Sequence, residues 1–115
     1  MQYVLLIYQG TAWADIPKRS AEEKESLVAE YAAINQAPGV TPGLPLGLPE
    51  NATTVRTRDG EAEIAEGPFV DANGAIGGWY LLDADDLDAA IALASRTPAA
   101  RLGGAVEIRP VEAYW

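Results

Sequence analysis

The chain has 115 residues, 49% of them hydrophobic and 22% charged, a composition that fits one globular domain and excludes a disordered or fibrous protein. It contains no cysteine and no histidine, which excludes disulfides, zinc sites built on thiolate or imidazole, Ser-His-Asp triads and Cys-His pairs. Seventeen acidic against 8 basic residues give a net charge of −9, which opposes binding to nucleic acid or to an anionic membrane.

Val4 to Tyr8 is too short and too poorly flanked for a signal-peptide core, and no apolar run approaches the roughly 18 residues of a membrane span. The expectation is a soluble, cytoplasmic protein without nucleic-acid or membrane partners. Tyr3 to Tyr8 reads as a strand apolar on both parities, with Tyr3, Leu5 and Ile7 on one side and Val4, Leu6 and Tyr8 on the other. Such a strand is covered on both faces. Gln9 to Lys18 reads as a loop, and Ser20 with Glu23 forms a capping box that starts a helix. Leu27, Val28, Tyr31 and Ile34 make its apolar stripe, and it ends before Ala37-Pro38-Gly39.

Residues 37–50 carry four prolines and three glycines, so the segment is expected to be a long loop, with neither a helix nor a central strand. Leu44, Leu46 and Leu48 alternate through it, which suits a lid over a pocket or an arm on a partner as well as a pinned surface loop. Thr53 to Arg58, the Asp59-Gly60 turn and Glu61 to Ala65 form a hairpin. A further strand runs from Ile76 to Leu82, with Gly77-Gly78 near its start where backbone or ligand can approach closely. Asp85 caps a second helix with Leu87, Ala90, Ile91 and Ala94 as its buried stripe, and Thr97-Pro98 stops it. The last strand covers about Val106 to Val111.

Strand, helix, hairpin, strand, helix, strand is the order of an α+β, ferredoxin-like sandwich, with two helices on a mainly antiparallel sheet. Two helices cover one sheet face. The strands that are apolar on both sides predict that a second copy covers the other, giving a homodimer.

Several segments, in this order, carry a resemblance: the opening Met1-Gln2-Tyr3-Val4-Leu5-Leu6-Ile7-Tyr8, Thr53-Thr54-Val55-Arg56 before Asp59-Gly60, and Glu66-Gly67-Pro68-Phe69 before Gly77-Gly78-Trp79-Tyr80-Leu81. Asp86-Leu87-Asp88-Ala89-Ala90, Pro98-Ala99-Ala100-Arg101 and Val106-Glu107-Ile108-Arg109-Pro110-Val111 complete the set. Together they resemble the YCII-related family in its DGPF-domain branch, over nearly the whole chain and least well across 36–51. The resemblance implies a single domain over 1–115 that dimerises sheet to sheet into an α/β barrel, with a cavity between the sheet and its connections. Most members of that branch have no established activity. Related proteins include a lyase that uses a His-Asp pair on a halogenated aromatic ring, and others are encoded near or fused to extracytoplasmic-function sigma factors. Here the motif opens with Glu66, the stretch after it is Asp71-Ala72-Asn73-Gly74-Ala75, and the chain has no histidine, so that lyase chemistry does not carry over.

The remaining candidates are carboxylates, arginines and aromatics. Glu66 shares its parity with Ala62 and Ile64 and is expected to turn inward, where burial would raise its pKa and suit it to general acid or base work. Alternatively it accepts backbone hydrogen bonds from the Gly67-Pro68 turn. Arg56, Arg58 and Arg109 can pair with it, hold a carboxylate ligand, or form surface ion pairs. Tyr8, Phe69, Trp79 and Tyr80 can line an aromatic pocket or simply fill the core or a dimer interface. Asp83, Asp85, Asp86 and Asp88 lack the glycine and terminal glutamate of a calcium loop and suit a helix N-terminus. No cofactor and no metal is expected. Two classes of function follow: a binding or regulatory module for a small apolar or aromatic molecule, and a cofactor-free lyase or isomerase that uses Glu66.

Overall fold

A computed structural model describes residues 1–113. The apolar strand β1 (Gln2–Tyr8) sits inside a four-stranded sheet, paired antiparallel with β5 (Ile76–Asp83) on one side and β6 (Ala105–Pro110) on the other. An edge strand, β2 (Val40–Pro45), adds to β5, so the order across the sheet is β2-β5-β1-β6. Helices α1 (Ala21–Asn35) and α2 (Leu87–Ala94) belong to one face, which gives an α+β, ferredoxin-like arrangement with no closed barrel among the described residues.

The core lies where alternation sends the odd positions of β1 and the even positions of β5. Tyr3, Leu5, Ile7, Tyr80 and Leu82 are buried there against Ile34 of α1 and Ala90, Leu93 and Ala94 of α2. Each large apolar side chain fully buried in this layer contributes roughly 1.5–3 kcal/mol. The opposite parity carries Val4, Leu6, Tyr8, Trp79 and Leu81 at the centre of the second face, with Glu107 and Arg109 of β6 beside them in register. Neither helix lies on that face, where Val4, Leu6, Tyr8 and Leu81 are half-buried and Trp79 is exposed.

The segment expected to be a long loop contains β2, and this corrects the reading of its prolines. The Asp83 amide donates to the Gly39 carbonyl and the Leu46 amide donates to the Gly77 carbonyl; with the register shifting between Pro42 and Pro45, alternation counted from each of these bonds turns both prolines outward. Pro42 and Pro45 thus lack amides only on the solvent side, as an edge strand allows. The hairpin forms as expected, β3 (Thr53–Arg58) with β4 (Glu61–Glu66), but as a separate two-stranded sheet and not as part of the main one. Asp59 (φ 53°) and Gly60 (φ 81°) make its turn.

Ser20 accepts a hydrogen bond from the Glu23 amide at 3.1 Å, as the capping box requires. On α2 the cap is Asp86, which accepts from the Ala89 amide at 2.9 Å, one residue later than the Asp85 expected. The buried stripe is Ala90, Leu93 and Ala94, and Leu87 and Ile91 of the expected stripe are exposed. Only Ile34 of α1 is fully buried; Leu27 and Tyr31 are half-buried and Val28 is exposed, so the helix stands off the sheet. Arg101 Nη2 donates to both carboxylate oxygens of Glu30, at 2.7 and 2.9 Å, and ties the helix to residues near the other end of the chain.

Candidate functional site

Beneath the C-terminal half of α1 lies a half-open cavity of about 380 Å³, with Val28 and Leu44 exposed at its rim. Its existence follows from missing side chains. Gly78 occupies a helix-facing position of β5 opposite Ile7, where any larger residue would fill the space. Gly43 lets β2 approach so closely that a methyl there would collide with the Trp79 carbonyl and indole ring, and one on Gly77 would press on Gln9 and Trp13. The walls are Ile7, Val28, Ala32, Leu44, Pro45 and the Trp79 and Tyr80 segment, with Gln9, Tyr31 and Asn35 as its polar groups. Among the described residues no charged one lines it.

Tyr80 is 2% exposed, and its hydroxyl shares a 2.8 Å hydrogen bond with that of Thr97, which is wholly buried. Burial pushes the Tyr80 phenol above its ordinary value, partly offset by Thr97. Burial also raises the Tyr31 phenol, against the lowering influence of the Gln9 side chain and the Ala99 carbonyl. Both therefore stay protonated through the neutral range, and Tyr31 brings a neutral hydroxyl to the cavity. Beside Gly77, the Trp13 indole Nε1 is buried without an acceptor.

A second, more open groove of about 480 Å³ lies at the base of the hairpin, between Leu46 to Pro49, Phe69, Val70, Tyr8 and Ile76. The expected site residues divide between these places. Trp79 and Tyr80 border the cavity, and Tyr8 and Phe69 border the groove. The Arg56 guanidinium lies 5.7 Å from the centre of the Phe69 ring, a cation–π distance. Arg109 is 3.6 Å from Glu107 on the open sheet face, far from either. Arg58 pairs with Glu63 at 3.5 Å on the hairpin.

Glu66 does not turn inward: it is exposed at the foot of β4, because the hairpin stands apart and both of its faces meet solvent. The turn after it is held by other groups. The Gly67 amide donates to the Ala52 carbonyl at 2.7 Å and the Thr54 hydroxyl donates to the Gly67 carbonyl at 2.8 Å. Gly67 has φ 97°, which only glycine adopts readily.

The sequence reading places Tyr31 in the apolar stripe of its helix and does not single out Gln9 and Asn35, since polar groups at a loop start and on a helix give no local signal of a shared cavity. Gly77-Gly78 was the usable sign. Among the described residues no group of three or more acidic side chains converges as a metal site would. Nor is any described helix long and apolar enough to cross a membrane.

An uncharacterized protein of Rhizobium meliloti (strain 1021) is 29% identical to this chain, over 99% of the chain and 94% of the relative. The family model for the YCII-related domain matches residues 1–114, the span that carries the four-stranded sheet, both helices and the glycine-walled cavity. The chain belongs to the YCII-related family.

Proposed function

We propose that this protein binds a small, uncharged apolar or aromatic molecule in the cavity beneath α1, and that it does so as a homodimer packed through the open sheet face. The observation that carries the ligand class is the lining: apolar walls, neutral polar groups and no ion. An anion or cation would lose part of its hydration there without a counter-charge, which disfavours charged ligands. A neutral ring with one hydrogen-bonding substituent suits Gln9, Tyr31 and Asn35. Trp79 and Tyr80 act as walls, and Tyr8 and Phe69 belong to the adjoining groove. The Glu66-Gly67-Pro68-Phe69 motif supports a place in the DGPF branch, with Gly67 and Thr54 holding the turn that the motif needs. A lyase or isomerase using Glu66 finds no support at this cavity, since no carboxylate lines it. A regulatory module that senses the ligand fits the same geometry.

The test is a thermal-shift titration with indole and, for comparison, benzoate, on wild type, Gly78→Ala and Gly78→Leu. A Cβ on Gly78 meets its nearest neighbours at 3.7 Å, so alanine fits and leucine occupies the cavity. Indole should stabilise wild type and Gly78→Ala but not Gly78→Leu; a hundredfold excess over Kd corresponds to about 2.7 kcal/mol. Equal stabilisation by benzoate, or an undiminished indole response in Gly78→Leu, refutes the assignment. Light scattering should give twice the 12.2 kDa chain mass.

A further inference from the structure

The β3–β4 hairpin is built as though one of its sides were not meant for water. Its cross-strand pairs place Val55 against Ile64 and Thr57 against Ala62 on one side, with Thr53 and Glu66 at its foot, and Thr54 against Ala65, Arg56 against Glu63 and Arg58 against Glu61 on the other. The second side is self-neutralised and solvated. The first leaves Val55 59% and Ile64 73% exposed, directly opposite one another. A lone two-stranded hairpin is marginal in water unless its apolar side is covered. This one is nevertheless fixed at its foot by the Gly67–Ala52 and Thr54–Gly67 bonds, so it is held out as an arm.

The size of the uncovered surface indicates the partner. A compact chain of 12.2 kDa exposes about 6,100 Å². This one exposes 7837 Å², and its radius of gyration is 15.9 Å against about 13 Å for a compact chain of this length. The excess, roughly 1,700 Å², is about twice what one partner contributes to a standard stable interface. Tyr8 carries the apolar surface from the open sheet face into the groove whose rim is Phe69, at the foot of the arm, where Arg56 on the charged side of the hairpin lies over the Phe69 ring. A second copy of the chain meets all of these at once, because two-fold symmetry buries every such residue twice.

We infer that the hairpin is an exchange arm whose Val55–Ile64 side packs on the second copy of the chain. This rests on the homodimer proposed above and adds to it a contact outside the sheet face.

Two measurements test it. Val55→Thr/Ile64→Thr keeps strand-forming residues, so the hairpin still folds while its apolar side is lost. Sedimentation equilibrium should show the dimer Kd weakened by at least about tenfold, with an unchanged far-UV spectrum. The chain has no cysteine, so Ile64→Cys labelled with a benzophenone maleimide is a single photo-crosslinking probe. It should yield a covalent dimer, whereas the same label at Ala29→Cys on exposed α1 should not. A dimer with unchanged Kd and no crosslink at position 64 overturns the arm and leaves the sheet-face dimer standing. A wild-type chain that stays monomeric at high micromolar concentration overturns both.

Discussion

The buried Tyr80–Thr97 hydrogen bond allows a prediction worked from its own geometry. The two hydroxyls lie 2.8 Å apart, Thr97 has no exposed surface, and Thr97 makes no side-chain cap to the turn that follows it. Tyr80→Phe keeps the ring that faces Leu5 across the ladder but strands the Thr97 hydroxyl away from water. That should cost about 1–3 kcal/mol. Thr97→Val replaces the hydroxyl by a methyl of nearly the same volume, at an extended backbone (φ −72°, ψ 126°) that valine accepts, and strands Tyr80 instead by a similar amount. The double variant strands nothing. Its loss should fall short of the summed single losses by about 1–2 kcal/mol, a coupling that urea melts resolve. In temperature terms each kcal/mol is about 4 °C for a chain of this size. Additivity within about 0.5 kcal/mol would show that the hydroxyls do not depend on each other and that the burial argument is wrong.

Two more outcomes follow. The phenols of Tyr31 and Tyr80 are raised in the fold, so the native state holds their protons longer than the unfolded chain; stability is full below the unfolded tyrosine pKa of about 10 and falls as pH rises past it. Urea midpoints taken across that range should decline, and the decline should be shallower in Tyr80→Phe; a midpoint independent of pH there contradicts the burial of both groups. Gly67→Ala forces a Cβ onto a backbone at φ 97° and should destabilise by about 1–3 kcal/mol, with faster amide exchange across the hairpin foot. Exchange and melting equal to wild type would mean that the turn relaxes to another conformation at little cost.

Three strands of the main sheet, β1, β5 and β6, and both helices were legible because their signals are local. Ser20 and Glu23 announce one helix, Thr97-Pro98 ends the other, and two-sided apolar runs mark β1 and β5. β2 was not legible, since proline reads as a breaker unless one knows which edge its missing amide faces. The same limit applied to Glu66: strand parity predicts a side, but whether that side meets a core depends on where the hairpin sits. The cavity is written mostly in residues that are absent. Gly43, Gly77 and Gly78 mark where side chains are missing, and a run of glycines does not say which helix will stand over them.

The outward prolines of β2 have a consequence for assembly. A free sheet edge is a template on which identical chains can stack without limit into fibres, and an apolar sheet face increases the encounters that start such growth. Pro42 and Pro45 remove donors from the outer rung of this edge, so a strand docking there finds carbonyls and gaps in place of a full ladder. Attraction is left to the faces, where pairing satisfies itself after one copy has been added and stops.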